Sequence, residues 1–342
     1  MSSQQQRPTD APTGQRFLCD YCGYPIPNDV KEPEEDEGKF CSEACLEAGE
    51  EGESMPEPEA YKRVVTGVEP LDSLVRNGLP TDAFVLLSGE EGTRREELLA
   101  ELAWRALERG EPAVVVSYTN PPTATLERFF ENGWNVLPAL ENDRLRVLDC
   151  FTSRLDDPDA YGEAENEWKE FVGEAAGDAL VNVDDSTDPG TVVSELEDAL
   201  EDLEMTETGI VTIDSVDALE TELEEGSLRE FATTVRARVC KARYVPIVGG
   251  AMAFADERGR GIEPRSAIGR RPFEVDGIVD LRLADHLAPE TRLRQMSVRK
   301  LVGAQFSPQW TTYDHAPGRG LYTFEPSTER RPEGRLLGSE TG

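Results

Sequence analysis

The sequence lacks any hydrophobic run long enough to cross a membrane. No stretch approaches the roughly 20 consecutive apolar residues that a transmembrane helix requires. The polar N-terminal stretch MSSQQQRPTDAPTGQ also lacks the apolar core of a signal peptide. We therefore expect a cytoplasmic protein with no membrane partner.

Positive charge is scarce as well. Only 35 Lys and Arg residues face 69 Asp and Glu residues, which gives a formal net charge of −34, and lysine is rare beside arginine. Several apolar runs of strand length and 38% hydrophobic residues favour a folded chain over a disordered acidic one. The acidity is spread along the chain and is typical of a halophile, in whose molar salt the Debye length is about 3 Å. The net charge therefore says little about nucleic-acid or membrane partners.

Histidine is nearly absent. The only two, His286 and His315, stand far apart in the sequence and have no ligand partner nearby, so we expect both at the surface. No catalytic residue is predicted.

Cysteine, by contrast, is clustered. Four of the six cysteines follow the pattern C-x2-C-x18-C-x3-C, namely Cys19, Cys22, Cys41 and Cys45. Zinc accepts four thiolates in a tetrahedron at about 2.3 Å, and cysteines two or three residues apart place both sulfurs on one edge of the ion. In a reducing compartment this clustering favours zinc over the alternatives of two disulfides or four inert thiols.

We interpret this segment as a treble-clef-like zinc finger. Gly23 suits the turn after the first cysteine pair, and Ser42 is a candidate N-cap of a short helix that carries the second pair. Cys150 and Cys240 adjoin apolar segments and are expected to be small buried hydrophobes.

Composition divides the chain into five parts. The segment between the cysteines and the large domain is acidic and contains Pro and Gly, as expected of a solvated linker. The predicted parts are a disordered 1–16, a zinc finger at 17–50, an acidic linker at 51–60, a large domain at 61–325 and a mobile tail at 326–342.

The large domain alternates apolar strand-length runs with helical patterns, which predicts an α/β fold with a mostly parallel sheet covered on both faces. Strands are predicted at 83–88, 113–118, 144–149, 209–214 and 244–252, with a helix at 228–243 and an acidic insertion at 155–188. The last third contains four strand patterns without helices between them, at 276–283, 293–301, 310–313 and 321–324. These predict an antiparallel extension of the same sheet.

The most informative segment is SGEEGTRREELL, residues 88–99, which lies where a strand turns into a helix. A phosphate-binding loop there would read GxxxxGK[ST]. Gly89 and Gly92 keep the frame, but the second glycine, the lysine and the hydroxyl are replaced by Arg94, Arg95 and Glu96. A carboxylate at the last position repels triphosphate, because two like charges about 4 Å apart cost about 4 kcal/mol at an effective dielectric near 20.

Four stretches in order resemble the KaiC and GvpD branch of the RecA superfamily, as found in archaea. They are TGVEPLDSLVRNGLPTDAFVLLSGEEGT (66–93), GEPAVVVSY (110–118), GIVTIDSV (209–216) and VDGIVDLRL with RLRQMSVRKLVG (275–303). The resemblance covers residues 62–325 and implies a RecA-like P-loop core. In it, Leu71 and Asp72 would belong to the strand leading into the core, and Asp214 to the metal side of the nucleotide site.

The chain departs from that family where catalysis occurs. The family's carboxylates at the end of the second strand are replaced by Tyr118 and Thr119, and the arginine of its KMRG segment is replaced by Val302, although Lys300 persists. The vestigial site that the resemblance implies comprises Gly89, Gly92, Thr93, Arg95 and Asp214. Binding of ATP with magnesium is therefore doubtful.

Three functions stay open. The first is a non-catalytic regulatory or scaffolding protein with protein partners or copies of itself. The second is an atypical ATPase that forms a ring and uses Arg95 in place of lysine. The third is a nucleic-acid-binding regulator acting through the zinc finger and the arginines of 258–271, a stretch that is otherwise a solvated loop.

Overall fold

The computed structural model describes residues 18–24, 26, 38–52, 62–156, 166–222, 225–255, 262–265, 267–270, 273–284 and 292–326. The chain divides into two units, Met1–Pro58 and Glu59–Gly342. The predicted disordered start, the tail after residue 326 and most of the linker lie outside the described residues, as does His286. No helix among the described residues is long and apolar enough to span a membrane.

Among the described residues of the first unit there is one short helix, α1 (Glu43–Glu50). Ser42 caps it, since its hydroxyl accepts a hydrogen bond from the backbone N–H of Cys45 at 3.2 Å. The predicted N-cap is confirmed.

The second unit is built on one large sheet, accompanied by two pairs of short strands. In chain order, the strands of the unit are β1 (Arg63–Val64), β2 (Val75–Arg76), β3 (Leu79–Pro80), β4 (Phe84–Gly89), β5 (Ala113–Ser117), β6 (Leu145–Asp149), β7 (Leu180–Asn182), β8 (Ile210–Ile213), β9 (Ile247–Ala255), β10 (Ile262–Pro264), β11 (Gly277–Ala284), β12 (Leu293–Leu301), β13 (Gln305–Phe306), β14 (Thr311–Ala316) and β15 (Gly320–Thr323). The short pairs are β1 with β3 and β2 with β13, and the other strands form the large sheet.

The helices cover both faces of this sheet. They are α2 (Glu69–Leu74), α3 (Arg95–Glu108), α4 (Pro122–Glu131), α5 (Leu137–Glu141), α6 (Glu167–Ala176), α7 (Pro189–Asp202), α8 (Val216–Glu222), α9 (Glu225–Val235), a π-helical turn (Arg236–Lys241) and α10 (Ala267–Arg270).

The strand order is β15-β14-β12-β11-β4-β9-β8-β5-β6-β7, with β10 paired to β9. From β11 to β7 every neighbouring pair is parallel. From β11 to β15 the pairs are antiparallel. The predicted parallel core with an antiparallel extension is confirmed. This arrangement places the ends of β4, β5 and β8 at one edge of the sheet, where ligand sites of open α/β folds lie.

Alternation along β4 shows how the sheet divides the core. Val85 and Leu87 pack on the side of α3 to α6, whereas Phe84 and Leu86 pack on the side of α7 to α9. Successive side chains of a strand point to opposite faces, so a parallel strand that is buried on both faces is apolar along most of its length.

Four local predictions are corrected. Leu71 and Asp72 lie in α2 rather than in a strand, because Pro70 suits a first helical turn and the Asp72 carboxylate accepts the N–H groups of Thr66 and Gly67. The strand predicted from 244 begins at Ile247, because Tyr244 has a left-handed φ of 54°.

The other two concern the helix at 228–243 and the insertion at 155–188. That helix begins at Glu225 and ends in the π-helical turn. The insertion is part of the folded domain: it contains α6, and its strand β7 extends the sheet by pairing in parallel with β6. The strand β7 was not predicted because its short apolar pattern is surrounded by acidic residues.

Candidate functional site

The loop between β4 and α3 is a tight turn with two residues in left-handed conformations. Gly92 has a φ of +85°, and Arg94 lies in the left-handed region at φ 63° and ψ 37°, directly before the helix. A side chain on Gly89 would contact Thr93 Oγ1 at 2.9 Å. An arginine thus occupies a conformation that favours glycine, at the point where the strand turns into the helix.

Neighbouring strands brace this loop. The Glu90 carboxylate accepts a hydrogen bond from the Leu283 N–H at 2.8 Å, and the Thr93 hydroxyl donates to the Glu90 carbonyl at 2.6 Å. Arg294 Nε donates to the Gly92 carbonyl at 2.9 Å, and the buried Tyr313 hydroxyl donates to the Thr93 carbonyl at 2.6 Å. The antiparallel extension thus holds the loop in place.

The two arginines of the loop pair with acidic residues of α3. Arg94 contacts Glu97 at 2.7 Å. Arg95 is only 8% exposed; its guanidinium contacts Glu96 Oε1 at 2.9 Å and Met252 Sδ at 3.1 Å, while Nε has no hydrogen-bond partner. Both predicted replacements therefore lie at the helix N-terminus with their charge already matched.

Asp214 follows β8 and is tied to the end of β5. Its Oδ1 accepts the Tyr118 N–H at 2.8 Å, and its Oδ2 accepts the Thr119 N–H at 2.9 Å and the Thr119 hydroxyl at 2.5 Å. Burial raises the pKa of the Asp214 carboxyl above its ordinary value, against these hydrogen bonds, which lower it. Asp214 thus joins two strand ends.

A narrow cavity of about 20 Å³ lies between these groups. Its polar lining is Glu96, Thr125, Arg128, Thr212 and Asp214, and the remainder is apolar. Such a volume holds about one water molecule. Two carboxylates and one guanidinium therefore converge at this cavity.

The other predicted positions are not exposed catalytic groups. Tyr118 is buried at 1% exposure in the core on the α7 to α9 side, which raises the pKa of its hydroxyl. Lys300 donates to the Val275 carbonyl at 2.5 Å, and Val302 is 52% exposed. His315 is half-buried on β14, and burial lowers its pKa, so the prediction of a surface histidine is wrong.

The four clustered cysteines converge in the first unit. Their sulfur atoms all lie within 4.8 Å of one another, with 3.5 Å between Cys22 and Cys41 and 3.6 Å between Cys41 and Cys45. Four thiolates about 2.3 Å from a central ion would be roughly 3.8 Å apart, so the cluster has the size of a tetrahedral metal site.

The backbone around the cluster is shaped by the turn after Cys22. Gly23, at φ +70°, donates its N–H to the Cys19 carbonyl at 2.9 Å. Hydrogen bonds from neighbouring thiols raise the pKa of Cys41 to about 12, whereas backbone N–H groups, acting against burial, lower that of Cys19 to about 6. Cys150 and Cys240 are fully buried, as predicted.

Sequence reasoning missed several residues of the loop site. Arg128, Arg294 and Tyr313 come from three different elements, and no local pattern marks them. Of the arginine stretch, Arg265 and Arg270 are exposed in the described part, while Arg258, Arg260 and Arg271 lie outside it.

The chain is similar in sequence to several known proteins. A UPF0273 protein of Pyrococcus horikoshii is 25% identical over 280 residues, which cover 81% of this chain and 98% of that protein. The circadian clock oscillator protein KaiC of Thermostichus vulcanus is 24% identical over 244 residues, which cover 71% of this chain and 40% of that protein.

A solved structure, the KaiC-like protein PH0186 of Pyrococcus horikoshii, superposes with a TM-score of 0.57 at 17% identity and covers 78% of this chain and all of that one. At this identity the likeness concerns the fold. The family described as ATPase: KaiC matches residues 64–327, which is more than half of the chain. The chain therefore belongs to the KaiC family of ATPases.

Proposed function

We propose that this protein is a non-catalytic regulatory or scaffolding member of the KaiC family, whose large domain presents surfaces to partners and whose cysteine module binds zinc. The observation that carries the proposal is the engagement of Asp214. Both of its oxygens accept hydrogen bonds from Tyr118 and Thr119, the residues that stand where the family has carboxylates.

The residues of the loop do not fit magnesium and ATP. A phosphate-binding loop needs a lysine for the terminal phosphates and a hydroxyl for the metal. Glu96 stands at the hydroxyl position and pairs with Arg95, which occupies the lysine position. The N-terminus of α3 favours an anion by up to about 1 kcal/mol, whereas a carboxylate about 4 Å from a phosphate opposes it by about 4 kcal/mol. The ion pair with Arg95 reduces this repulsion, but it also engages the only cation at the lysine position, so neither residue is left to hold the phosphates or the metal.

The test is calorimetry and an ATPase assay in molar KCl with magnesium and ATP. We expect no measurable turnover and weak or absent binding by the native chain. The triple variant Arg94→Gly, Arg95→Lys and Glu96→Thr should gain binding, while turnover stays poor because Tyr118 and Thr119 supply no general base.

A comparison variant is Arg95→Lys alone, which restores the lysine but keeps Glu96. It should not bind if the glutamate dominates. Micromolar binding of ATP by the native chain would contradict the proposal that the loop binds nucleotide weakly or not at all. ATP turnover that Asp214→Ala abolishes would favour the atypical ATPase instead.

The zinc proposal rests on the donor set. Cys19, Cys22, Cys41 and Cys45 would fill all four positions of a tetrahedral ion, which leaves no open position for a substrate and makes the role structural. Because the ligands must be deprotonated, zinc would also relieve the mutual repulsion of the thiolates.

Metal analysis of the native chain and of cysteine variants tests the zinc proposal. We expect one zinc ion per chain by elemental analysis, and loss of zinc in the double variant Cys41→Ser, Cys45→Ser. The matched control is Cys150→Ala with Cys240→Ala, which changes two buried cysteines outside the cluster and should keep the metal. Full zinc content in the first variant would reject the assignment.

A further inference from the structure

A cavity of about 430 Å³ opens at the carboxyl ends of β6 and β7. Its lining comes from two segments, residues 151–155 after β6 and residues 184–187 after β7. It shares no lining residue with the small cavity beside Asp214. Sites for small molecules have volumes of roughly 300 to 1,000 Å³, so this volume suits such a ligand. We call it the strand-end cavity.

Hydrogen bonds within the fold hold both walls of the strand-end cavity. Asp149, the last residue of β6, accepts the N–H groups of Phe151 and Thr152, both at 2.9 Å. On the other wall, Asp185 Oδ1 accepts the Thr187 N–H at 3.0 Å and the Thr187 hydroxyl at 2.6 Å. The walls are therefore shaped without a ligand, and binding would need little further ordering of the chain.

A buried hydroxyl in the lining has unused hydrogen-bonding capacity. Ser186 lines the cavity and is only 2% exposed. Its Oγ accepts a hydrogen bond from Ser153 Oγ at 3.3 Å, which joins the two walls, and its own proton has no acceptor among the described residues. Because a hydroxyl can donate one hydrogen bond and accept two, Ser186 can still bind a polar group of a ligand.

The charge of the lining is negative on balance. Asp184 and Asp185 are both exposed, and the Asp184 carboxylate has no partner within the described part of the chain. Hydrogen bonds from Thr187 hold the pKa of Asp185 below its ordinary value, so this carboxyl is ionised at neutral pH. Arg154, which also lines the cavity, already donates to the Tyr118 carbonyl at 3.1 Å. The cavity therefore favours a positively charged ligand.

The apolar part of the lining favours an organic cation over a metal ion. Phe151 and Leu155 contribute an aromatic ring and an aliphatic side chain, which offer nothing to a hydrated metal ion. Hard metal ions need several oxygen ligands around one point. Within the described residues, only the four clustered cysteines bring three or more ligand atoms that close together. A carbon skeleton, by contrast, would bury apolar surface against the ring.

We propose that the strand-end cavity binds a small organic cation. Its ammonium or guanidinium group would donate hydrogen bonds to Asp184, Asp185 and Ser186, and its apolar body would pack against Phe151 and Leu155. The place agrees with the general position of ligand sites in open α/β folds, outside the carboxyl ends of the strands. The proposal adds a ligand to the regulatory role and depends on neither zinc nor nucleotide binding.

This kind of recognition is compatible with molar salt. The Debye length is then about 3 Å, so charges attract the ligand only at hydrogen-bond distance. Contacts between carbon atoms do not depend on ionic screening, and they would supply the rest of the affinity. A ligand with both a cationic and an apolar part should therefore bind better than one with either part alone.

Three probes that share one ring test the proposal on the full chain in molar KCl at pH 7. They are benzylammonium, benzyl alcohol and benzoate, which are cationic, neutral and anionic. Binding is measured by saturation-transfer difference NMR and titration. We expect benzylammonium to bind about fivefold more tightly than benzyl alcohol, because a charge pair at an exposed carboxylate contributes little more than that. Benzoate should not bind.

Two double variants with the same change in net charge locate the site. The cavity variant carries Asp184→Asn and Asp185→Asn, which keeps an oxygen at position 185 for the bonds from Thr187. It should weaken benzylammonium binding about tenfold and leave benzyl alcohol unchanged. The control variant carries Asp198→Asn and Asp202→Asn, two exposed positions of α7 outside the lining, and should bind all three probes like the native chain.

Four outcomes would overturn the proposal: no binding of benzylammonium, equal binding of all three probes, an unchanged affinity in the cavity variant, or an equal loss in the control variant. Circular dichroism establishes that each variant is folded, so a lost affinity reports the cavity. The zinc content and the ATP measurements should be the same in the native chain and in both variants, which keeps this proposal separate from the proposed function.

Discussion

Arg94 is the residue at which the loop departs most from what its backbone favours. It adopts φ 63° in a position that suits glycine, and a left-handed conformation costs a non-glycine residue about 1 to 2 kcal/mol. Its ion pair with Glu97 is exposed on the arginine side and contributes little.

We therefore expect Arg94→Gly to be more stable than Arg94→Ala by about 1 kcal/mol, since both lose the ion pair but only glycine relieves the backbone. Urea denaturation of the two variants measures this difference. Equal midpoints would mean that the loop relaxes without strain in either variant.

Asp276 carries a buried negative charge that neighbouring positive side chains compensate. Its carboxylate accepts hydrogen bonds from Arg236 at 2.9 and 2.6 Å and from the Phe84 N–H at 3.1 Å. Burial raises its pKa, but the hydrogen bonds and charges of Arg236 and Lys241 outweigh burial and hold the pKa below its ordinary value of 3.8. Removing the charge from such a pair costs about 3 kcal/mol.

Because the folded-state pKa is lowered, the stability from Asp276 is present above pH 3.8 and is lost as the pH falls through the folded-state value. The advantage of the native chain over Asp276→Asn should therefore shrink as the pH falls below 3.8.

Asp280 provides the opposite case, since burial raises its pKa in spite of Arg299. The native chain should gain on Asp280→Asn as the pH falls. Denaturation across this pH range checks both slopes, and slopes of the same sign would contradict the assignment.

At the scale of elements, the hairpin of β14 and β15 is fastened to α3 through one buried carboxylate. Glu101 accepts the Leu321 N–H at 2.7 Å and pairs with Arg105 at 2.9 Å. The carboxylate lies against Gly320, where a side chain would overlap it. The hairpin also supplies Tyr313, which holds the loop between β4 and α3.

Two glycines of this hairpin make a matched pair. Gly320 and Gly318 both have positive φ, at 85° and 77°, but nothing lies within 4 Å of a side chain at Gly318. Gly318→Ala should cost about 1 kcal/mol for the backbone alone. Gly320→Ala should cost about 2 kcal/mol more, because it also displaces a buried, hydrogen-bonded carboxylate. Thermal denaturation compares the stabilities of the two variants. Equal losses of stability would show that the Glu101 side chain moves aside at no cost.

At the scale of the whole molecule, the net charge of −34 opposes the compact state. This net charge is what remains after every Lys and Arg has been counted against an Asp or Glu, so ion pairs cannot reduce it, and salt acts by screening it. The melting temperature should therefore rise steeply between about 0.1 M and 2 M KCl, over which the Debye length falls from about 10 Å to under 3 Å. Sucrose of matched viscosity is the control, since it adds no ions, and an equal rise in sucrose would rule out screening as the cause.

The local chemistry of this protein could be determined from the sequence. The spacing of the four cysteines, the replacements Arg94, Arg95 and Glu96, and the alternation of strands and helices are all local features. They follow from side-chain type and from the 2.0 and 3.6 residue periods of strands and helices. The antiparallel extension was predictable for the same reason, because no helical segment separates its strands.

The tertiary structure decided which groups meet. Asp214 could be placed at a strand end from the sequence, but its engagement by Tyr118 and Thr119 depends on β5 and β8 becoming neighbours. Likewise the ring contact between Phe130 of α4 and Trp168 of α6 depends on the two helices packing side by side. Contacts between residues tens of positions apart are set by how buried faces pack against each other, and no local period records them.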